Sequence, residues 1–257
     1  MTGRFASTAA LYEELRPPYP PLFFREVAAR LPLTSAQALI DLGTGPGLLA
    51  LGFAPYVGRV MAVDPEPAMI VAARAAAARA AQALTLIEGK AETLADDIGR
   101  FDVVTIGRAL HWMDRDAVLA RLDRLVAPGG AILICASFSA ADGRNPWLDD
   151  YNKTRRAWSE SSLSSETGRG ERIRRDLAGF FRGTRFHVAD AITVETNHDI
   201  SARDLARRVL TFSSSSPQVL GDKADAMLRD VEARLAPFCP DGRLDEIVVS
   251  SAQVVRG

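Results

Sequence analysis

The chain has 257 residues, 47% of them apolar, with 31 Lys and Arg against 32 Asp and Glu for a formal charge of −1. At roughly 150 residues per domain that length allows one large domain or one carrying a substantial elaboration, and the apolar content excludes wholesale disorder. Basic residues neither dominate nor cluster, which argues against a nucleic-acid partner, since such binding draws on an excess of Lys and Arg facing phosphates.

The N-terminal stretch carries Arg4, Glu13, Glu14 and Arg16 where a signal peptide needs an apolar run. No segment approaches the ~18 consecutive apolar residues of a membrane span. A cytoplasmic protein without membrane partners is therefore expected. Residues 1–36 read as an arm followed by a helix that starts at Pro20 or Pro21, where proline suits a first turn. From 37 to 138, short Val- and Ile-rich runs at 37–43, 59–64, 84–89, 101–107 and 131–138 read as buried strands. Helical stretches at 47–56, 66–83 and 114–126 and a turn near 94–99 separate them. Strand and helix alternating in this way predict a parallel sheet covered on both faces. The polar, Ser- and Gly-rich 139–170 reads as a mobile insertion or lid. Beyond it come a helix at 171–182, a strand at 186–195, helices at 201–212 and 222–236, and a last strand near 245–255. Two cysteines, Cys135 and Cys239, and three histidines, His111, His187 and His198, stand far apart, so neither a disulfide framework nor a metal site is expected.

The stretch Leu39-Ile40-Asp41-Leu42-Gly43-Thr44-Gly45-Pro46-Gly47 is an apolar strand running into G-x-G-x-G. Glycines at a strand-to-helix turn let the backbone pass close beneath a ligand, and the following helix offers its free N–H groups. The next strand ends at Val63-Asp64, where an acid is placed to accept hydrogen bonds from both hydroxyls of a ribose. A dinucleotide fingerprint needs G-x-G-x-x-G, and Leu48 stands where its third glycine belongs.

Several segments recur together: DLGTGPG at 41–47, AVD at 62–64, GKAETL at 89–94, FDVVTIGRALHW at 101–112 and LVAPGGAILI at 125–134. The opening arm adds Phe5, Ala9, Tyr12, Arg16, Pro17 and Pro20. In these the chain resembles the class I S-adenosylmethionine-dependent methyltransferases, in particular the small-molecule, type 11-like group that includes trans-aconitate methyltransferase. The resemblance implies a Rossmann-like, seven-stranded, mostly parallel α/β sheet with the last strand antiparallel. It implies a single domain over 1–257, with an N-terminal arm and helix (1–36), a cofactor core (37–138), a lid or substrate insertion (139–185) and completion of the sheet (186–257).

It further implies S-adenosylmethionine as cofactor and S-adenosylhomocysteine as product. Gly43 and Gly45 would face the methionine part and Asp64 the ribose. Asp41 would orient the loop or reach the amino group through water. Met69 and the Ala91 backbone would flank the adenine with Glu92 nearby, and Lys90 departs from the short polar residue of many relatives. Thr44, Gly47 and Pro65 complete the implied loop. Arg108 lies where relatives approach the methionine moiety, though a surface ion pair accounts for it equally. Tyr12 and Arg16 would close over the cofactor, and Tyr19, Trp112, Trp147, Tyr151 and Arg155 would meet the acceptor. His111, an imidazole that ordinarily titrates near pH 6.5, is either a general base or a wall of the pocket. The implied reaction is in-line displacement of the sulfonium methyl by an O, N or C nucleophile of a small molecule, without metal. A protein acceptor, a cofactor-binding protein without transferase activity, and a nicotinamide-dependent oxidoreductase are the alternatives.

Overall fold

The computed structural model describes residues 9–158, 172–173 and 175–257. In chain order the main elements are α1 (Ala9–Leu15), α2 (Pro21–Arg30), β1 (Ala38–Leu42), α3 (Leu48–Phe53), β2 (Arg59–Asp64), α4 (Pro67–Arg79), β3 (Thr85–Glu88), β4 (Phe101–Gly107), α5 (Arg115–Leu125), β5 (Val126–Ser139), α6 (Leu148–Trp158), β6 (His187–Ser201), α7 (Ala202–Arg207), α8 (Ala224–Leu235) and β7 (Arg243–Arg256). Of the helix expected at 171–182, residues 172, 173 and 175 are helical and a separate short helix spans Leu177–Phe180, while much of the polar insertion, 159–171, lies outside the described residues.

The seven strands form one sheet in the order β3-β2-β1-β4-β5-β7-β6. β1 to β5 pair in parallel. β7 runs against β5: Ala140 N–H donates to Ile247 O at 2.8 Å while the hydroxyls of Ser137 and Ser250 meet at 3.1 Å, so residue numbers rise on one strand as they fall on the other. The fifth strand begins five residues earlier than expected. Gly129 and Gly130 lie within β5, where Phe101 pairs with Val126 but Val103 pairs with Ala131. That shift in register is a bulge, and Gly129 takes its left-handed φ of 74°.

The chain divides into two compact units, one of residues 1–18, 137–165 and 195–250 and the other of 19–136, 166–194 and 251–257. β5, β6 and β7 each contribute residues to both.

The larger unit holds most of the sheet, and its two cores follow from the alternation of side chains along a strand. Leu39, Val60, Ala62, Val103, Ala131 and Leu133 pack on one face with Phe23, Phe24 and Phe53. Ile40, Leu42, Met61, Val63, Val104 and Ile132 pack on the other with Leu119 and Leu122 of α5. Helix α2 starts at Pro21 and buries Phe23, Phe24, Val27 and Ala28 along one side, the ring of Phe24 standing edge-on to Phe53 at 5.0 Å. Helix α5 is capped by Asp114, whose side chain accepts from Ala117 N–H at 2.9 Å.

The smaller unit has its own core. Trp147, just ahead of α6, and Leu148 and Tyr151 of α6 pack with Leu205, Ala206, Val209, Met227 and Val231.

Candidate functional site

In the larger unit the carboxyl ends of β1, β2 and β4 bring together most of the residues read from the sequence. β1 ends at Leu42, and the chain turns through Gly43–Gly47 into α3. The amides of Gly43 and Thr44 both donate to Val63 O, at 2.8 and 2.9 Å, which fastens the turn to the end of β2. Gly43 has φ +70°, and a Cβ there would come within 2.5 Å of the Ala109 Cβ, so the protein's own packing requires glycine. Gly45 has φ +55°, with no heavy atom within 4 Å of where its Cβ would stand. Among the described residues, the space over Gly45 is therefore open.

Two buried acids organise this turn. Asp41 is 1% exposed and accepts from the hydroxyls of Thr44 at 2.6 Å and Thr105 at 2.7 Å. Burial pushes its carboxyl up to about 6, against the lowering effect of those two hydroxyls. Asp64 Oδ2 accepts from Gly45 N–H at 2.8 Å and Oδ1 from Glu66 N–H at 2.9 Å. Burial also raises the Asp64 carboxyl, while the Glu66 and Gly45 amides hold it down. An ionised carboxylate has about four acceptor positions, two per oxygen, so with one amide on each oxygen Asp64 keeps one acceptor on each for a pair of ligand hydroxyls. Thr105 was not singled out in the sequence because a threonine inside a strand reads as an ordinary β residue, and Ala109 carried no signal at all.

Around the turn, Met69 on α4 and Ala91, at the start of the one-turn helix Ala91–Thr93, are buried, while Pro65 and Lys90 are exposed. Glu92 has one carboxylate oxygen committed to Asp114 N–H at 2.9 Å, which ties its segment to the start of α5. Arg108 follows β4 with φ +56°, a conformation few residues other than glycine adopt. Its amide donates to Cys135 O at 3.2 Å and its guanidinium lies 4.9 Å over the ring of Tyr19. Tyr19 Oη in turn approaches Gly107, 3.5 Å from where a Cβ would stand. His111, half-buried on the turn Leu110–Trp112, stands against Trp112 with ring centres 5.0 Å apart.

Residues 40–134 match the model of a methyltransferase domain. The matched span holds β1 to β4, the glycine turn, Asp41, Asp64, Arg108 and His111. The chain is 32% identical over 153 residues to an uncharacterized methyltransferase of Mycobacterium tuberculosis, covering 60% of this chain and 59% of that protein. It is 36% identical over 114 residues to a trans-aconitate 2-methyltransferase of Methylobacterium radiotolerans, covering 42% of this chain and 41% of that one. Its fold is similar to the crystal structure of an S-adenosylmethionine-dependent methyltransferase from Thiobacillus denitrificans in complex with S-adenosyl-L-homocysteine, with a TM-score of 0.57 and 15% identity over 96% of each chain. The matched stretch thus spans about three-fifths of the mycobacterial relative's length.

The remaining candidate residues stand outside the span matched to the methyltransferase domain, in the smaller unit. The Arg16 guanidinium lies 4.9 Å over the ring of Tyr12 and 4.1 Å over that of Phe212, and its Nη2 donates to Thr211 O at 2.7 Å. Arg155 also stacks on Phe212, at 4.3 Å. Arg208 forms a two-pronged pair with Glu246, at 2.6 and 2.7 Å, and donates to Leu15 O. Trp147 and Tyr151, expected as groups offered to an acceptor, are both buried, with rings edge-to-face at 5.8 Å. Trp147 belongs to the core of the smaller unit, packed there with Leu148 and Tyr151 of the helix that follows it. Phe212, Arg208 and Glu246 had no sequence signal, lying far along the chain from Arg16. Among the described residues there is no cluster of His, Cys, Asp and Glu that could hold a metal, and no helix is long and apolar enough to cross a membrane.

Proposed function

We propose that this protein transfers the methyl group of S-adenosylmethionine to an O, N or C nucleophile of a small-molecule acceptor. One observation carries the reading: Asp64 is held by the amides of Gly45 and Glu66 so that each of its oxygens keeps an acceptor position, beside the open surface over Gly45. A ribose diol needs such a pair of acceptors. When bound, S-adenosylmethionine supplies a methyl group on a sulfonium, already activated for displacement.

The chain's own residues then position the reactants, which is where most of the rate would arise. Asp64 accepts the two ribose hydroxyls. Gly43 and Gly45 present backbone to the methionine part, and the buried pair of hydroxyls on Asp41 keeps Thr44 and the turn in place. Met69 and Ala91 form an apolar wall for the adenine. Arg108, held over Tyr19, offers a cation for the methionine carboxylate. His111 takes a proton from an acceptor whose nucleophile carries one, and is a wall of the site for an acceptor already ionised. A small acceptor is supported by the near-neutral charge and by the named substrate of the Methylobacterium relative. The reading of 1–257 as one elaborated methyltransferase domain is part of the proposal, supported by three strands that run on through both units.

Calorimetric titration of the full chain with S-adenosylmethionine should show micromolar binding that Asp64→Ala nearly abolishes. Binding of undiminished affinity in that variant would overturn the assignment of the site. Formation of S-adenosylhomocysteine with a small acceptor tests the transfer itself.

A further inference from the structure

We propose that Thr105 is a positioning residue for the methyl donor: its hydroxyl, reaching from β4, fixes the Asp41 carboxylate and, through it, the glycine turn on which S-adenosylmethionine would rest. The inference deepens the proposed methyl transfer. It rests on that reading for the identity of the ligand, though not for the link between Thr105 and Asp41.

The first observation is the register of the sheet. β1 lies between β2 and β4, and Asp41 pairs with Ala62 on one side and Thr105 on the other. Side chains alternate along a strand, so Asp41 shares a face with Leu39 and Thr105 shares one with Val103. Their neighbours there, Ala62 and Leu133 included, are apolar, and Thr105 is fully buried. Valine has the same branched shape and would fill this place without burying a polar atom, so packing gives no reason for a hydroxyl. Asp41 gives one.

The second observation is how the turn is gripped. From the β2 side, Val63 O accepts from the Gly43 and Thr44 amides and Asp64 accepts from Gly45 N–H. From the β4 side, Thr105 Oγ1 donates to Asp41 Oδ1 at 2.7 Å, while Thr44 Oγ1 donates to Oδ2 at 2.6 Å. Both separations are those of a hydroxyl donating to an ionised acid. Thr44 belongs to the turn and moves with it, whereas Thr105 is set in the middle strand of the sheet, so Thr105 is the one that locates the carboxylate.

The third is charge. Burial pushes the Asp41 carboxyl up to about 6, and the hydroxyls of Thr44 and Thr105 hold it from rising further, with help from the Ala50 backbone. Asp64 on β2 raises it, and the Cys135 thiol on β5, itself acted on by Arg108, also faces it. A protonated carboxyl must donate as well as accept, so the arrangement in which both hydroxyls donate to Asp41 belongs to its ionised form.

The test titrates S-adenosylmethionine calorimetrically into the full chain and into Thr105→Val and Thr105→Ser, from roughly pH 5 to pH 8. The affinity of the parent should fall as pH drops through about 6. Thr105→Val should bind about tenfold more weakly at neutral pH, and its fall should begin about one pH unit higher, because the carboxylate has lost one donor. Thr105→Ser keeps the hydroxyl and should restore both. Urea unfolding without ligand reads the link itself: the deficit of Thr105→Val against the parent should grow as pH rises above about 6, where the parent's carboxyl has ionised and the variant still gives up its proton on unfolding. Three results would each overturn the role: binding by Thr105→Val that matches the parent in affinity and pH dependence, weakening without a shift along the pH axis, which marks a loss of packing alone, or no recovery in Thr105→Ser. A parent that binds no S-adenosylmethionine at any pH removes the methyl-donor reading instead, and the unfolding curves then still decide whether Thr105 sets Asp41.

Discussion

The glycine turn of the larger unit and the arginine cluster of the smaller one bury charge in opposite ways. In the turn two carboxylates lie in the interior, each stabilised by neutral donors: hydroxyls for Asp41, backbone amides for Asp64. In the cluster the buried guanidinium of Arg208 pairs with the carboxylate of Glu246, and those of Arg16 and Arg155 rest on the ring of Phe212. In the turn two of the four partners are close in sequence, Thr44 three residues after Asp41 and Glu66 two after Asp64, while Gly45 and Thr105 lie 19 and 64 residues from the acids they hold. The cluster assembles Arg16, Tyr151, Arg155, Arg208, Phe212 and Glu246 from distant segments. A site built on backbone is thus written locally, and a site built on long side chains exists only once the chain has folded.

Breaking the cluster should have the largest effect. Glu246→Gln strands the buried guanidinium of Arg208 and should cost about 3–5 kcal/mol in urea unfolding, whereas Arg208→Met combined with Glu246→Leu should recover most of that loss. Equal destabilisation by the single and double variants would show that the pair is not isolated in the interior.

The turn is sharpened by pH. The folded chain keeps the Asp41 proton up to about pH 6, while an unfolded chain releases it near 3.8. The stability this proton confers is complete below about pH 4 and is lost as pH rises through 6. Asp41→Asn removes the dependence, so its unfolding free energy relative to the parent should rise by up to about 3 kcal/mol between roughly pH 4 and pH 7. A constant difference over that range would contradict the burial of an ionisable group there.

Gly43→Ala meets both a left-handed backbone and the Ala109 side chain, and should cost about 2 kcal/mol together with a marked loss of S-adenosylmethionine affinity. The smallest effect belongs to Arg144, which bridges Asp142 at 2.7 Å and Glu195 at 2.8 Å on the surface. Its neighbours raise the Arg144 guanidinium above its ordinary value and hold both carboxyls below theirs. Solvent and salt nonetheless screen the network, so Arg144→Ala should change the melting point only slightly, and not at all in molar salt.

The strands around the glycine turn were legible because adjacent residues serve opposite faces: Leu39 enters one core and Ile40 the other, so β1 reads as a continuous apolar run. The turn was legible because Gly43 and Gly45 take conformations that other residues avoid. The start of β5 at Val126 was not legible, since the bulge there draws on glycines, Gly129 and Gly130, that serve a turn equally well. Tyr12, Arg16, Tyr151 and Arg155 stood out as aromatic and cationic side chains, yet nothing in their spacing said that Arg16 and Arg155 would share the ring of Phe212.

By itself, then, the sequence determined the parallel α/β core, the glycine turn and the acid at the end of the second strand, all properties of local backbone preference and of a two-residue period. Only the tertiary structure decided that Thr105 would hold Asp41, that Trp147 would turn inward, and that Arg16 and Arg155 would stack on Phe212 with the Tyr151 hydroxyl buried among the arginines. Such contacts are made by side chains distant along the chain, and their free energy depends on burial, which no short stretch of sequence contains.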